Sequence, residues 1–269
     1  MKLAIHQTAG NAGDPAANIA DLERTAARAA AEGVALLVLP EMWLSGYNIG
    51  TDAWSLAEPA DGPSAERIAA IAREAGLAIL YGYPERSAAG VYNAAQLIDA
   101  TGGRVAGMRK AHLFGDGERR LFLPGDTGLP VVDCAGLRFG ILICYDVEFP
   151  EAVRHAAIHG ADAVLVPTAL FHPFSYVATH VVPVRAWENG LFVAYANRCG
   201  AEDGVRYTGR SSICSPNGEP IAAAGADEAL LVAEVDPAAF RRDDPVGNTY
   251  LQDRRPELYA DLSAPAVRR

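Results

Sequence analysis

Nowhere does this chain hold the roughly 20 unbroken apolar residues that a membrane-spanning helix needs. Hydrophobic residues make up 50% of its 269 positions, but they come in short runs broken by Gly, Pro and charge. The first ten residues carry one lysine and pass straight into an alternating stretch, with neither the apolar core nor the small-residue cleavage site of a secretory signal. A cytoplasmic protein without a membrane partner is expected. Positive charge is also scarce: 23 Lys and Arg against 33 Asp and Glu leave a net charge of −10, with the arginines scattered. That balance repels phosphate backbones and excludes nucleic acid as the expected partner. Only four cysteines occur, Cys134, Cys144, Cys199 and Cys214, without a CxxC spacing. Reduced thiols are expected, and neither a disulfide framework nor structural zinc.

Internal repeats, low-complexity segments and long linkers are missing as well, so residues 1–269 read as one domain of a size that can bury a substantial core. The stretch from about Pro237 is rich in Pro, Arg and Asp; it either wraps a partner subunit or stays mobile.

Short β-branched and leucine-rich runs predict strands over 3–7, 35–39, 77–81, 92–98 and 138–143, then over 163–166, 191–196, 211–214 and 230–235. Alanine-rich periodic segments predict helices over 15–31, 64–75, 150–159 and 176–188, with Pro15 and Pro150 suited to a first helical turn. Helices joining some strands and hairpin-like links joining others imply an α/β fold with a mixed, layered sheet system.

Three strand ends carry residues capable of chemistry. An apolar run from Leu36 enters Pro40 and then Glu41; a run from Arg104 ends at Lys110, with Glu118 eight residues on; the run Phe139 to Ile143 turns sharply at Cys144 into a helix. Taken singly, Glu41 and Lys110 read first as solvated surface charges, and Cys144 as a buried structural thiol. A cysteine at a strand-to-helix turn also has the placement of a nucleophile elbow, with backbone N–H groups at hand for an oxyanion.

The segments Leu39-Pro40-Glu41, Arg109-Lys110-Ala111-His112-Leu113-Phe114-Gly115 and Ile143-Cys144-Tyr145-Asp146-Val147-Glu148-Phe149-Pro150-Glu151 resemble, in identity, order and spacing, the nitrilase or carbon–nitrogen hydrolase superfamily. The likeness continues through Gly160 to Thr168 and Arg185 to Asn189 and spans nearly the whole chain. It implies a four-layer αββα sandwich, pairing into a homodimer or higher homo-oligomer through helices near the nucleophile. It also implies Cys144 as nucleophile, Glu41 as general base, Lys110 as electrostatic stabiliser, and Glu118 as a second glutamate orienting Lys110 or the substrate amide. The backbone N–H of Tyr145 would face the oxyanion. Neither metal nor organic cofactor is needed for that chemistry. Asp146 and Arg185 are expected to form a buried ion pair holding the elbow.

Within the superfamily, residues 40–50 and 81–86 look most like small amidases acting on aliphatic and ω-amino amides, 5-aminopentanamide amidases among them. Relatives taking dicarboxylic mono-amides resemble Cys-Tyr-Asp-x-Arg-Phe; here Glu148 stands in the arginine's place, which suits a substrate with an ammonium group. Interaction with a helix N-terminus is an equal reading of Glu148. The expected activity is hydrolysis of a small linear amide to its acid and ammonia. Nitrile hydrolysis is a rival, although true nitrilases resemble Cys-Trp-Glu rather than Cys144-Tyr145-Asp146; an N-carbamoyl amine hydrolase would release carbon dioxide with ammonia. A non-catalytic metabolite-binding relative would not need base, cation and thiol together. A papain-like use of Cys144 with His112, His172 or His180 has no local signature behind it.

Overall fold

The computed structural model describes residues 1–240 and 249–263. The first half of the chain runs β1 (Lys2–Gln7), α1 (Pro15–Ala31), β2 (Val34–Val38), α2 (Asp52–Ser55), α3 (Pro63–Ala75), β3 (Ala78–Arg86), β4 (Val91–Ile98), β5 (Arg104–Arg109) and α4 (Gly115–Leu121). The second half runs β6 (Val131–Cys134), β7 (Leu137–Ile141), α5 (Pro150–Ile158), β8 (Ala163–Thr168), α6 (Val182–Asn189), β9 (Phe192–Asn197), β10 (Ala201–Glu202), β11 (Val205–Arg206), β12 (Ser212–Cys214), β13 (Pro220–Ala223) and β14 (Ala229–Glu234). Two six-stranded sheets result, ordered β14-β1-β2-β3-β4-β5 and β13-β12-β9-β8-β7-β6. Each has three parallel strands at its centre, β1-β2-β3 in one and β7-β8-β9 in the other, with antiparallel strands outside them. Strand β14 returns from the second half to pair with β1, and Val235 N–H donates to the Met1 carbonyl at 2.8 Å.

Side-chain alternation along the strands builds the layers. Leu3, Ile5, Leu36, Val38, Leu80 and Leu97 of the first sheet share a core with Phe139, Ile141 and Leu165 of the second. The intervening positions Ala4, Leu37 and Ile79 face outward and meet Leu22, Ala26 and Ala29 of α1 and Ile68, Ile71 and Ala72 of α3. On the opposite side α5 and α6 cover the second sheet through Val153, Ala156, Val182 and Ala186. The order helix, sheet, sheet, helix is the four-layer sandwich. At Gly140 a Cβ would lie 2.7 Å from that of Ala156, so glycine there lets α5 approach the sheet closely.

Local chemistry sets the helix ends. The Asp14 side chain accepts from Ala17 N–H at 2.9 Å, Pro15 opens the first turn of α1, and Gly76 in left-handed conformation closes α3. The helix expected over 176–188 is divided: Val177–Val181 forms a π-helical turn before α6. Pro183 has no N–H to donate into that ladder, which is a sufficient reason for the break. Edge strands β6 and β13 and helix α4 were not expected. No helix among the described residues is long and apolar enough to cross a membrane. The expectation for the tail falls partly on 241–248 and 264–269, outside the described residues; of the rest, Phe240 packs edge-on against Phe192, and Tyr250 against Trp187.

Candidate active site

The apolar run of β2 carries the chain through Leu39 and Pro40 to a completely buried Glu41, followed by Met42 at φ 49°. The turn crosses β3 at Gly82, where a Cβ would stand 2.5 Å from Met42 N, 2.6 Å from Pro40 O and 2.8 Å from Glu41 Cα. Only glycine admits the base-bearing turn this close to the sheet. Glu41 N–H reaches the Thr168 carbonyl at the end of β8, 3.3 Å away, linking the two sheets at this edge. Lys110 directly follows β5: its N–H donates to Asn93 O on β4, and its carbonyl accepts from Gly125 N–H, both at 2.8 Å. A Cβ at Gly125 would come within 2.1 Å of Arg109 O, so this contact also demands glycine.

The side chains meet in a buried cluster. Lys110 Nζ lies 2.7 Å from Glu41 Oε1 and 2.6 Å from Glu118 Oε1. Asn93 Nδ2 donates to the same Glu41 oxygen at 2.7 Å, while Glu41 Oε2 is buried with no hydrogen-bond partner among the described residues. Glu118 is fully engaged: Oε1 also accepts from Tyr47 O–H at 2.7 Å, and Oε2 from Phe114 N–H at 2.7 Å. Behind Tyr47, Glu202 Oε2 accepts from the backbone N–H of Tyr47 and of Asn48, each at 2.9 Å, and Glu202 pairs with the buried Arg198.

Burial pushes the Glu41 carboxyl above its ordinary value, against the pull of Lys110 and with a further push from Glu118. For Lys110, burial works against the charge, but Glu41 and Glu118 outweigh it and hold the ammonium well above the usual lysine range. Burial and Glu41 raise the Cys144 thiol well above its usual value, opposed by Lys110. Lys110 therefore keeps its charge beside a thiol that keeps its proton.

Cys144 begins a 3₁₀ turn, Cys144–Glu148, just past β7, and has φ 48°. A non-glycine residue there carries backbone strain of about 1–3 kcal/mol and persists only where its surroundings over-determine it. Asp146 supplies part of that constraint, although not as expected. Completely buried, it bonds His112 and the Ile143 N–H, not Arg185. Arg185 instead donates from Nε to Val147 O at 2.9 Å and from Nη2 to Glu148 O at 2.7 Å, and pairs with Glu188 at 2.8 Å. The predicted ion pair is absent because Asp146 already has local donors and Arg185 reaches the orphan carbonyls of the turn.

A cavity of about 190 Å³ opens on Cys144, lined also by Tyr145, Glu148, Tyr47, Phe114, Leu170 and Phe174. Phe114 stands edge-on to Tyr145, Phe171 and Phe174, giving the cavity aromatic walls. The Glu148 carboxylate, half-buried, makes no hydrogen bond or ion pair among the described residues, and burial raises its pKa. Beyond Tyr47, Phe114 and Phe171 lies an adjoining cavity of about 220 Å³ with Glu118 on its wall.

Glu41, Lys110 and Glu118 thus stand in direct contact, while Cys144, Tyr145 and Glu148 line the cavity that Tyr47 joins to them. Asn93, Tyr47, Gly82 and Gly125 were not singled out from the sequence. A polar side chain inside the apolar strand 92–98 was the one visible sign of Asn93. Of the histidines considered, His112 binds Asp146, and His180 meets Thr179 Oγ1 and stacks on Tyr176. All four cysteines are free.

Known proteins resemble this chain along nearly its whole length. The Carbon-nitrogen hydrolase family profile matches residues 2–243. A protein of Pseudomonas protegens described as a hydrolase in the pqqF 5′ region is 52% identical, over 98% of this chain and 92% of its own. The (R)-stereoselective amidase of Pseudomonas sp is 36% identical, over 95% of this chain and 92% of its own. Among solved structures, the amidase from Nesterenkonia sp. AN1 in complex with butyramide superposes with a TM-score of 0.84 at 35% identity, covering 97% of each chain. With a family profile along most of its length and the same layered fold in an amidase, this chain belongs to the carbon–nitrogen hydrolase family of the nitrilase superfamily.

Proposed function

We propose that this enzyme hydrolyses a short linear amide to its carboxylic acid and ammonia, through a thioester on Cys144. The observation that carries the reading is the division of labour in Glu41, whose Oε1 is held by Lys110 and Asn93 while Oε2 is buried and unpartnered. A buried carboxylate with one oxygen fixed and one open is suited to taking a proton. The Nesterenkonia amidase offers chemical support: one of its structures carries the acetamide moiety of fluoroacetamide covalently added at the active site cysteine.

In the first half-reaction the Cys144 sulfur bonds to the amide carbon as its proton passes to Glu41. Lys110 and the Tyr145 N–H stabilise the oxyanion. The C–N bond then breaks, Glu41 returns the proton to the leaving nitrogen, and ammonia departs. Water next attacks the thioester, giving a proton to Glu41; the C–S bond breaks, the thiol recovers that proton, and the acid is released. Glu118, saturated by three donors, serves to hold Lys110 rather than to exchange protons.

Cavity chemistry supports a narrower choice within the amides. A space of about 190 Å³ suits a chain of a few heavy atoms, and the unpaired Glu148 carboxylate on its wall favours an ammonium at the far end. The proposed substrate class is therefore ω-amino amides of the 5-aminopentanamide type. Exposed Ile158 and Val184 on the outer helices support association of two copies along that face.

The test is ammonia release by the purified protein from pentanamide, 5-aminopentanamide, glutaramate, a short nitrile and an N-carbamoyl amine, with Cys144→Ala as control. Preference for 5-aminopentanamide is expected. Turnover confined to the nitrile or carbamoyl compound would replace the amidase reading, undiminished turnover by Cys144→Ala would overturn the mechanism, and silence across the panel would favour a binding role.

A further inference from the structure

Lys110 and Cys144 hang from different sheets, Lys110 after β5 of the first and Cys144 after β7 of the second, and no strand ladder joins those two strands. Their separation must be set by contacts between the two loops. One carboxylate spans them. Asp146 Oδ1 accepts from His112 N–H at 2.9 Å and meets His112 Nδ1 at 2.7 Å, while Oδ2 accepts from Ile143 N–H at 3.1 Å. A carboxylate oxygen with no proton only accepts, so His112 Nδ1 carries the hydrogen. The imidazole is fixed from its face as well, stacked on Phe149 with centroids 3.8 Å apart and planes 14° from parallel. His112 lies two residues past Lys110, and Ile143 immediately precedes Cys144.

We infer that His112 is a positioning residue, whose ring N–H, acting through Asp146, sets the strained Cys144 turn against the Lys110 loop. The inference rests on the amidase reading for the role of Cys144. The backbone N–H of His112 gives Asp146 Oδ1 one donor and the ring gives the same oxygen a second, so that Oδ1 is held on the Lys110 loop while Oδ2 is turned to the Ile143 N–H. Free rotation of Asp146 would release the Ile143 N–H and with it the residue before the nucleophile. His112 differs in this from His172 and His180, neither of which bonds to the elbow.

Two substitutions separate the hydrogen bond from the packing. His112→Phe keeps an aromatic ring against Phe149 and removes the donor; His112→Asn keeps an N–H near the Nδ1 position and removes the stack. The readouts are kcat and KM on the best amide of the panel, and the rate at which iodoacetamide labels Cys144, followed by intact mass. In His112→Phe, kcat is expected to fall about 100-fold with KM within about twofold, the size of effect that a small misplacement of reacting groups produces. Labelling of Cys144 should slow with it, and His112→Asn should recover most of both rates. Wild-type rates in His112→Phe, or equal losses in the two variants, would overturn the inference. The labelling arm needs no substrate, so the clamp is tested even if the amide panel fails; an unreactive panel with labelling that still depends on the ring N–H would sink the amidase reading alone. If His112→Phe does not fold, His112→Asn decides: labelling and kcat near wild type support the hydrogen bond, and a large loss in a variant that retains the donor overturns it.

Discussion

Glu41 gives one carboxylate oxygen to Lys110, at 2.7 Å, and keeps the other buried and unpaired. Removing the carboxylate without changing its shape tests what the open oxygen does. Glu41→Gln retains an oxygen for Lys110 but cannot take a proton, so kcat is expected to fall by about 10²–10⁴, the usual weight of a general base. Steady-state ammonia release measures the loss, and intact mass shows whether acylated enzyme accumulates.

The pH profile follows from the same cluster. Glu41 acts as a base only when ionised, and burial raises its pKa, so kcat/KM should climb with pH along an acid limb lying above the ordinary carboxylate value of about 4.3. Lys110 must stay charged and is held above its usual range, so no alkaline limb from it is expected below about pH 10.4. An activity lost between neutrality and pH 9, measured on a neutral amide, would contradict this assignment.

Lys110 is also structural. Lys110→Met leaves Glu41 and Glu118 buried without their shared cation, and breaking a buried pair by removing one partner costs about 3–5 kcal/mol. Urea unfolding should show that loss together with abolished turnover. Lys110→Met, Glu41→Gln combined should recover part of the stability and none of the activity.

Glu148 is expected to act on substrate choice and not on chemistry. Glu148→Gln should raise KM for 5-aminopentanamide about 10-fold or more, as expected for a charge-assisted contact of about 1.5–3 kcal/mol, with pentanamide little changed. For the wild type, the advantage of the ammonium substrate should shrink as pH falls through the raised Glu148 pKa, because the protonated carboxyl no longer attracts it. Equal KM changes for both amides would contradict the role.

Gly82→Ala places a methyl against the backbone of the Glu41 turn, where contacts of 2.5–2.8 Å leave no room. Overpacking of this kind costs about 1–3 kcal/mol. Here the strain falls on the base, so kcat should fall along with Tm in a thermal melt, whereas Gly140→Ala, crowding Ala156 under α5, should lower Tm with a smaller effect on kcat.

The strands that deliver Glu41 and Cys144 were readable because each is an apolar run of strand length that stops at a charge or a turn; β5, with an arginine at each end and only Met108 buried, was legible only as a run leading to Lys110. Glu118 was readable as a residue but its helix was not: Gly115 to Leu121 contains two glycines and four charged residues, with no apolar period. The helix is held by its place in the fold, where Glu118 caps Phe114 N–H and meets Lys110. Asp146 and Arg185 were correctly expected at the elbow and wrongly paired, since composition shows that a buried charge needs partners without showing that backbone groups and a histidine supply them. The tolerance of Gly82 and Gly125 for close backbone approach depends on segments distant in sequence, and no local signal carries it.

The parts of the reactive centre are contributed by different strand layers: Glu41 and Lys110 leave the first sheet, Cys144 leaves the second, and the Glu41 turn touches the end of β8. A chain emerging during synthesis holds its acid–base and cationic groups long before its thiol. Neither half by itself carries Glu41, Lys110 and Cys144 together. Turnover consequently doubles as an assay of inter-sheet docking, and a gradual separation of the layers under denaturant should silence the enzyme before secondary structure is lost.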